Sequence, residues 1–200
     1  MAKKVTVIST SIRPNSNSEL LAKSFAEGAE AAGNEVTFIT LKDKDIRFCR
    51  GCLSCHQTGK CIIQDDVAPI MDAVLHADVV VWATPIYYFE MSGQMKTLID
   101  RMNPMYPMDY RFRDVYFLVT AADEGEDVFE KAETGLTGWL DCFPKTTLKG
   151  SVYCGGVTGG GEISGNAKLA EALAGYLDGS RSLNETVDQV ESGLRMYLAE

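Results

Sequence analysis

The chain has 200 residues, 46% of them hydrophobic and 24% charged, an ordinary composition for one α/β domain with a sizeable core rather than a disordered segment. A formal net charge of -9 leaves no basic patch to neutralise phosphate backbones, which argues against a nucleic-acid partner. The opening "MAKKVTVISTSIRP" has too short an apolar run for a signal peptide and no segment reaches membrane-spanning length, so a cytoplasmic protein without a membrane partner is expected.

Apolar runs at 3–10, 35–41, 78–85, 114–122 and 150–158 read as five strands. Helical patterns lie between them near 17–32, 66–76, 92–103 and 126–142, with two more at 166–178 and 184–199. Strand–helix alternation predicts a parallel sheet with right-handed crossovers, and β-branched runs such as Val79, Val80 and Val81 suit strands buried on both faces. The expectation is a single three-layer domain over 1–200, with its ligand chemistry at the carboxyl ends of the strands.

The first strand runs into "STSIRPNSNSELLA", residues 9–22, a turn dense in hydroxyls and amides: Ser9, Ser11, Asn15, Asn17 and Ser18. An amphipathic helix follows, with Ser16 and Glu19 in a capping-box pattern and Gly33 as its stop. Free N–H groups at a helix start bind anions, and Arg13 adds a fixed charge with a bidentate fork. Neither GxxxxGK nor GxGxxG occurs in this turn, so it suits one mononucleotide phosphate better than a dinucleotide.

Next comes "CRGCLSCHQTGKC", residues 49–61, with four of the chain's six cysteines at C-x2-C-x2-C-x5-C spacing. A bacterial ferredoxin run has x3 before its last cysteine and then proline, whereas Ile62 follows Cys61. In a reducing compartment a metal or redox role outweighs a disulfide framework; tetrahedral zinc, free thiols and a labile disulfide all stay open. Asp65 and Asp66 sit where a helix starts and suit its dipole. His56 and His76 lack a ligand-spaced partner and read as surface residues.

The third strand ends in "TPIYYFEMSGQMK", residues 84–96, where Pro85 is expected to break the strand and Ile86, Tyr87, Tyr88 and Phe89 to line a flat ring. Thr120 to Glu124, after the fourth strand, extend the same edge. Cys142 and Cys154 read as buried packing residues. The glycines of 154–165 suit either a close backbone approach to a ligand or a mobile loop.

In the order and spacing of these motifs the chain resembles the flavodoxin-like NAD(P)H-dependent FMN reductases, and within them the branch related to the iron-sulfur flavoproteins. The resemblance implies a three-layer α/β/α sandwich with a five-stranded parallel sheet in order 2-1-3-4-5. It places the FMN phosphate on Ser11, Arg13, Asn17 and Ser18, and the isoalloxazine against Pro85, Ile86, Tyr87, Tyr88 and Phe89. "CxGCxxC…GxC…DD" from Cys49 to Asp66 and "K…IDR" from Lys96 to Arg101 match as well. Ile12 stands where the family usually has proline, and Thr10 where glycine is common. A [4Fe–4S] cluster on Cys49, Cys52, Cys55 and Cys61 is implied by the iron-sulfur branch, while many relatives are plain FMN oxidoreductases.

The implied function is hydride transfer from NAD(P)H through FMN to a small acceptor such as a quinone or flavin, with no catalytic acid demanded. The alternative is an electron-transfer flavoprotein serving a protein partner. Relatives form dimers or tetramers, so a homo-oligomer is expected, with Tyr106 and Tyr110 at an interface.

Overall fold

The computed structural model describes residues 2–165. In chain order the strands are β1 (Lys4–Ser9), β2 (Glu35–Thr40), β3 (Val79–Tyr87), β4 (Glu90–Met91), β5 (Asp114–Thr120) and β6 (Thr147–Cys154). The helices are α1 (Asn17–Ala31), α2 (Ser54–Thr58), α3 (Val67–His76), α4 (Gly93–Arg101) and α5 (Glu126–Leu140), and 3₁₀ turns lie at Asn103–Met105 and Glu162–Gly165. The helices expected at 166–178 and 184–199 lie outside the described residues.

The sheet runs β2-β1-β3-β5-β6 with every pair along that path parallel. This is the expected 2-1-3-4-5 order, with β4 added as an antiparallel hairpin partner of β3. Alternation along β3 shows why both faces are buried. Val80 and Trp82 pack with α3, α4 and α5 residues such as Val74, Leu98 and Leu136. Val79, Val81 and Ala83 pack with Leu21, Phe25 and Ala29 of α1. Two-sided burial is what permits a continuous Val-Val-Val-Trp-Ala run.

Four local expectations are corrected. Strand β6 starts at Thr147, not 150, because a register shift opposite Val115 and Tyr116 lets the strand continue through Gly150. Ser16 occupies the N-cap of α1 but makes no side-chain cap bond: its Oγ lies 3.0 Å from Ser18 Oγ, and Glu19 pairs instead with Lys23 at 2.6 Å. Cys142 is exposed just beyond α5, while Cys154 is buried as expected. Tyr110 is buried against Phe112 and Phe143, so it does not present an interface; Tyr106 is exposed. Gly33 does end α1, at φ 81°.

Residues 41–66 carry the chain from β2 to α3 with only the five-residue α2 inside them. A crossing this irregular needs external anchors, and Arg101 at the end of α4 is the main one. Its Nη1 donates to Arg47 O at 2.6 Å and to Asp65 Oδ2 at 2.5 Å, and its Nη2 donates to Asp65 Oδ1 at 3.0 Å. The two side chains are 1% and 0% exposed. Asp65 is therefore the buried counter-ion of Arg101, and it also accepts from Val67 N at the start of α3, where the sequence placed it. Burial would push its carboxyl up, but the Arg101 fork and the N–H groups of Arg47 and Val67 outweigh that and hold it below the usual carboxylate value.

Because the folded pKa of Asp65 is depressed, its stabilising contribution is present above the unfolded value of about 3.9 and is lost as pH falls through the folded value. Asp65→Asn leaves a buried, unpaired guanidinium and is expected to lower unfolding free energy by about 3–5 kcal/mol in urea titrations near neutral pH. It should also flatten the acid limb of the stability profile. A stability loss under about 1 kcal/mol would show that the pair is not the anchor.

Candidate functional site

Three loops meet at the carboxyl edge of the sheet, on the adjacent strands β1, β3 and β5. The sheet order reverses between β1 and β3, which is where ligands bind in open α/β sheets.

The first loop, residues 9–18, brings together an unusual density of buried polar side chains: Ser9, Ser11, Ser16, Asn17 and Ser18. Arg13 and Asn15 are exposed, and Asn15 turns the chain at φ 50°. Ser9 Oγ is buried without a hydrogen-bond partner, a state that costs about 1–3 kcal/mol unless a ligand satisfies it. The N-terminus of α1 opens beside it, so N–H donors, a favourable dipole end and the Arg13 charge share one place.

The glycine-rich segment after β6 lies back over this loop. Arg13 Nη1 donates to Thr158 O at 2.7 Å, Asn17 Nδ2 to Gly159 O at 2.8 Å, and Ile163 N to Asn17 Oδ1 at 3.2 Å. A Cβ on Gly160 would sit 3.1 Å from Asn15 O. Of these glycines, Gly160 packs against the 9–18 loop, while Gly155 and Gly156 pack against Asp123 and Glu124.

The second loop is the β3–β4 hairpin. Ile86 pairs with Met91 and Tyr87 with Glu90, leaving Tyr88 and Phe89 as a two-residue turn at φ 51° and 65°. Such a turn requires left-handed backbone at both positions and normally takes Asn-Gly. Two aromatic residues there are strained, and strain of this kind collects at functional sites. Tyr88 is 99% exposed and Phe89 is partly so, with Lys131 Nζ of α5 lying 4.1 Å from the Phe89 ring centroid.

Pro85 does not break β3, which continues to Tyr87. Ala83 O accepts from Thr10 N on the β1 side. Two residues later Pro85 faces that same side, beyond the end of β1, where no ladder bond asks for an N–H.

Sequence reasoning missed the network joining these two loops. Thr10 Oγ1 donates to Ala83 O at 2.9 Å and lies 3.2 Å from Ser92 Oγ; Thr84 Oγ1 donates to Ser92 Oγ at 3.2 Å. Ser92 N donates to Thr84 Oγ1 at 3.0 Å, and Ser92 Oγ caps α4 by accepting from Met95 N. A serine directly before a helix was the available signal. Thr10, the departure from the family's glycine, is thus a structural tie.

The third loop follows Thr120, which is buried and in register with Pro85 and Cys154. A Cβ on Gly155 would meet Asp123 O at 2.5 Å. Tyr153 donates to the same carbonyl at 2.5 Å, and burial first, then Asp123, Cys154, Asp127 and Glu124, push its hydroxyl up to about 12. It stays a proton donor at neutral pH.

The cysteine segment forms a separate place. Cys49, Cys52, Cys55 and Cys61 line one open pocket together with Arg50, Ile62, Arg101 and Asn103. Cys55 is buried, Cys61 half-buried, and Cys49 and Cys52 exposed; all four are free. Hydrogen bonds from the Ser54 backbone and hydroxyl draw the Cys52 thiol down. Among the described residues no three His, Cys, Asp or Glu side chains are grouped to hold one metal ion. A [4Fe–4S] cluster makes a different demand, four thiolates around one compact body, and four cysteines lining one pocket suit it. His56 lies at the rim, its Nε2 3.3 Å from Asn103 Oδ1, and His76 is an exposed neighbour of Asp72.

The profile of the NADPH-dependent FMN reductase family matches residues 3–155, and the chain belongs to that family. An iron-sulfur flavoprotein of Methanocaldococcus jannaschii is 39% identical over 102 residues, 51% of this chain and 53% of that one. An iron-sulfur flavoprotein of Methanosarcina thermophila is 24% identical over 156 residues, 78% of this chain and 82% of that one. The chain spans about half the length of the curated relatives it matches at 34–39% identity. An NAD(P)H:quinone oxidoreductase structure from Methanothermobacter marburgensis superposes with a TM-score of 0.62 over 98% of this chain and 96% of that one; at 14% identity this likeness shows the flavodoxin-like fold.

The residues present fit FMN. The orphaned Ser9 hydroxyl, the helix start and Arg13 suit a phosphate, and the aromatic hairpin stands on the neighbouring strand where a ring would extend.

The strained hairpin yields a direct test. Tyr88→Asn replaces a side chain that packs on nothing with one that tolerates left-handed backbone, and should raise the stability of FMN-free protein by about 0.5–1 kcal/mol in urea denaturation. A lower midpoint than wild type would mean that Tyr88 is held by a contact rather than strained.

Proposed function

We propose that this protein is an NAD(P)H-dependent FMN oxidoreductase that passes hydride equivalents to a small acceptor such as a quinone or flavin. One observation carries the reading: a cluster of buried hydroxyls and amides, with the Ser9 hydroxyl unpaired, and an aromatic hairpin stand on adjacent strands at the switch point of the sheet. FMN, when bound, supplies the hydride chemistry. The chain's own residues bind and orient: Ser9, Ser11, Asn15, Asn17, Ser18 and Arg13 take the phosphate, while Pro85, Ile86, Tyr87, Tyr88, Phe89 and Thr120 border the ring. No side chain is asked to transfer a proton. Donor and acceptor use the open edge in turn, so NAD(P)H should bleach the bound flavin and quinone restore it, with alternating-substrate kinetics. Failure of both nicotinamides to reduce the flavin would remove the reductase reading.

A second reading is favoured by the cysteine pocket: an electron-transfer flavoprotein whose pocket holds an iron-sulfur cluster and whose electrons go to a protein partner. In either case we infer a cytoplasmic protein that forms a homo-oligomer, the assembly being supported by the exposed apolar side chains of Phe48, Leu53, Ile62 and Tyr106. Light scattering would read the assembly size.

The phosphate assignment has its own measurement. Arg13→Ala should weaken FMN binding roughly ten- to a hundredfold, the loss of a charged hydrogen bond of about 1.5–3 kcal/mol. Lys at that position should restore only part of it. Riboflavin, which lacks the phosphate, should bind wild type and variant alike; an equal loss for both ligands would show that Arg13 holds something other than the phosphate.

A further inference from the structure

Three of the four sulfurs in the cysteine pocket face a hydrogen-bond donor. One donor comes from the segment itself: Gly51 N, 3.4 Å from Cys49 Sγ. The other two reach across from the far end of α4. Arg101 Nη2 lies 3.4 Å from Cys61 Sγ, and Asn103 Nδ2 lies 3.5 Å from Cys55 Sγ. A neutral thiol is a weak acceptor. Three donors directed at three sulfurs therefore stabilise little unless the sulfurs carry charge, as metal-bound thiolates do.

The two donors that reach across are also the ones fixed from behind. Asp65 holds the Arg101 fork on two oxygens, at 2.5 and 3.0 Å. Asn103 presents its Oδ1 to His56 Nε2 at 3.3 Å, which turns its NH2 towards Cys55. The His56 ring is in turn stacked on Tyr106, with centroids 6.1 Å apart. Outer groups that orient a ligand and draw charge from its sulfur set both the affinity and the potential of a bound centre.

We propose that Arg101 and Asn103 are positioning residues for an iron-sulfur cluster in this pocket: their N–H groups fix Cys61 and Cys55 and hold the cluster's reduction potential above the value that the thiolates alone would give. The proposal rests on the second reading above, that the pocket binds such a cluster. A reduced cluster carries one more negative charge than an oxidised one, so donors at its sulfurs favour the reduced form, and their loss makes the potential more negative.

The test uses the full chain loaded anaerobically with ferrous iron and sulfide, read by iron and sulfide content, by the rate of iron loss to a chelator and by redox titration of the visible spectrum. Asn103→Leu, similar in shape but without a donor, should keep FMN binding and the fold while shifting the potential to more negative values and speeding iron loss. His56→Phe keeps the ring stack but frees the amide, and should shift the potential the same way by less. Arg101→Lys keeps the charge without the fork and should also lower it; should that variant fail to fold, Asn103→Leu still decides. A wild-type potential and a wild-type rate of iron loss in Asn103→Leu would overturn the proposal alone. Wild-type protein that takes up no iron and sulfide would overturn the cluster reading beneath it, with FMN binding untouched.

Discussion

A guanidinium that is 1% exposed carries its charge into a protein interior at a heavy desolvation cost unless a carboxylate meets it, and Asp65 does so from a side chain that is 0% exposed. The placement of the cysteine segment depends on this contact. Desolvating two charges offsets most of what their attraction returns, so a buried pair adds little net stability over well-packed apolar residues. What it supplies is registry. Arg101 binds Arg47 O, Asp65 and Ile63 O in one fork, and thereby fixes both ends of the stretch that contains the four cysteines. Its Nε finds no acceptor, a cost the site bears to keep the remaining donors aimed as they are.

The carboxyl edge of the sheet is organised by a different constraint. Parallel strands put all their carboxyl ends on one side, and the reversal of order between β1 and β3 opens a crevice there without any special residue. Special residues are needed to hold the loops in the crevice. The hydroxyls of Thr10, Thr84 and Ser92 tie the 9–18 loop to the hairpin in the dry interior, where each bond counts for more than it would in water. The left-handed backbone at Tyr88 and Phe89 is then over-determined from both sides, by the β3–β4 pairing and by the capped start of α4.

Most of the fold was legible because periodicity and burial agree: all five parallel strands and four of the helices fall within a few residues of their sequence signals. The loop at 9–18 was legible as a polar composition at a strand end, and the structure gathers Ser9, Ser11, Ser16, Asn17 and Ser18 there in buried positions. Tyr88 and Phe89 were legible as a flat surface but not as a turn, because the residues that advertise a two-residue hairpin are Asn and Gly, and these are neither. Pro85 misled for the converse reason: proline speaks against a strand only where a neighbour needs its N–H, and β1 has already ended there. Asp65 and Arg101 could not be paired from sequence at all. Each has an adequate local explanation, as a helix-start acid and as a last-turn base, and only the tertiary path of residues 41–66 reveals that they face each other. Local explanation also hid His56, whose partner Asn103 lies far along the chain.

Helix α4 links the two places. Its first turn is capped by Ser92, a member of the hydroxyl network behind the hairpin, and its last residue is Arg101, which borders the cysteine pocket. Nine residues at about 1.5 Å each make a rod of roughly 14 Å. Met95, Leu98 and Ile99 bury its apolar stripe in the core, so the rod cannot slide or rotate without disturbing the packing around Trp82. The distance and orientation between the hairpin and the cysteines are therefore set by a packed secondary element rather than by the long crossing that carries the cysteines. A chain that is irregular where it holds its thiols can still present them at a fixed place relative to the sheet.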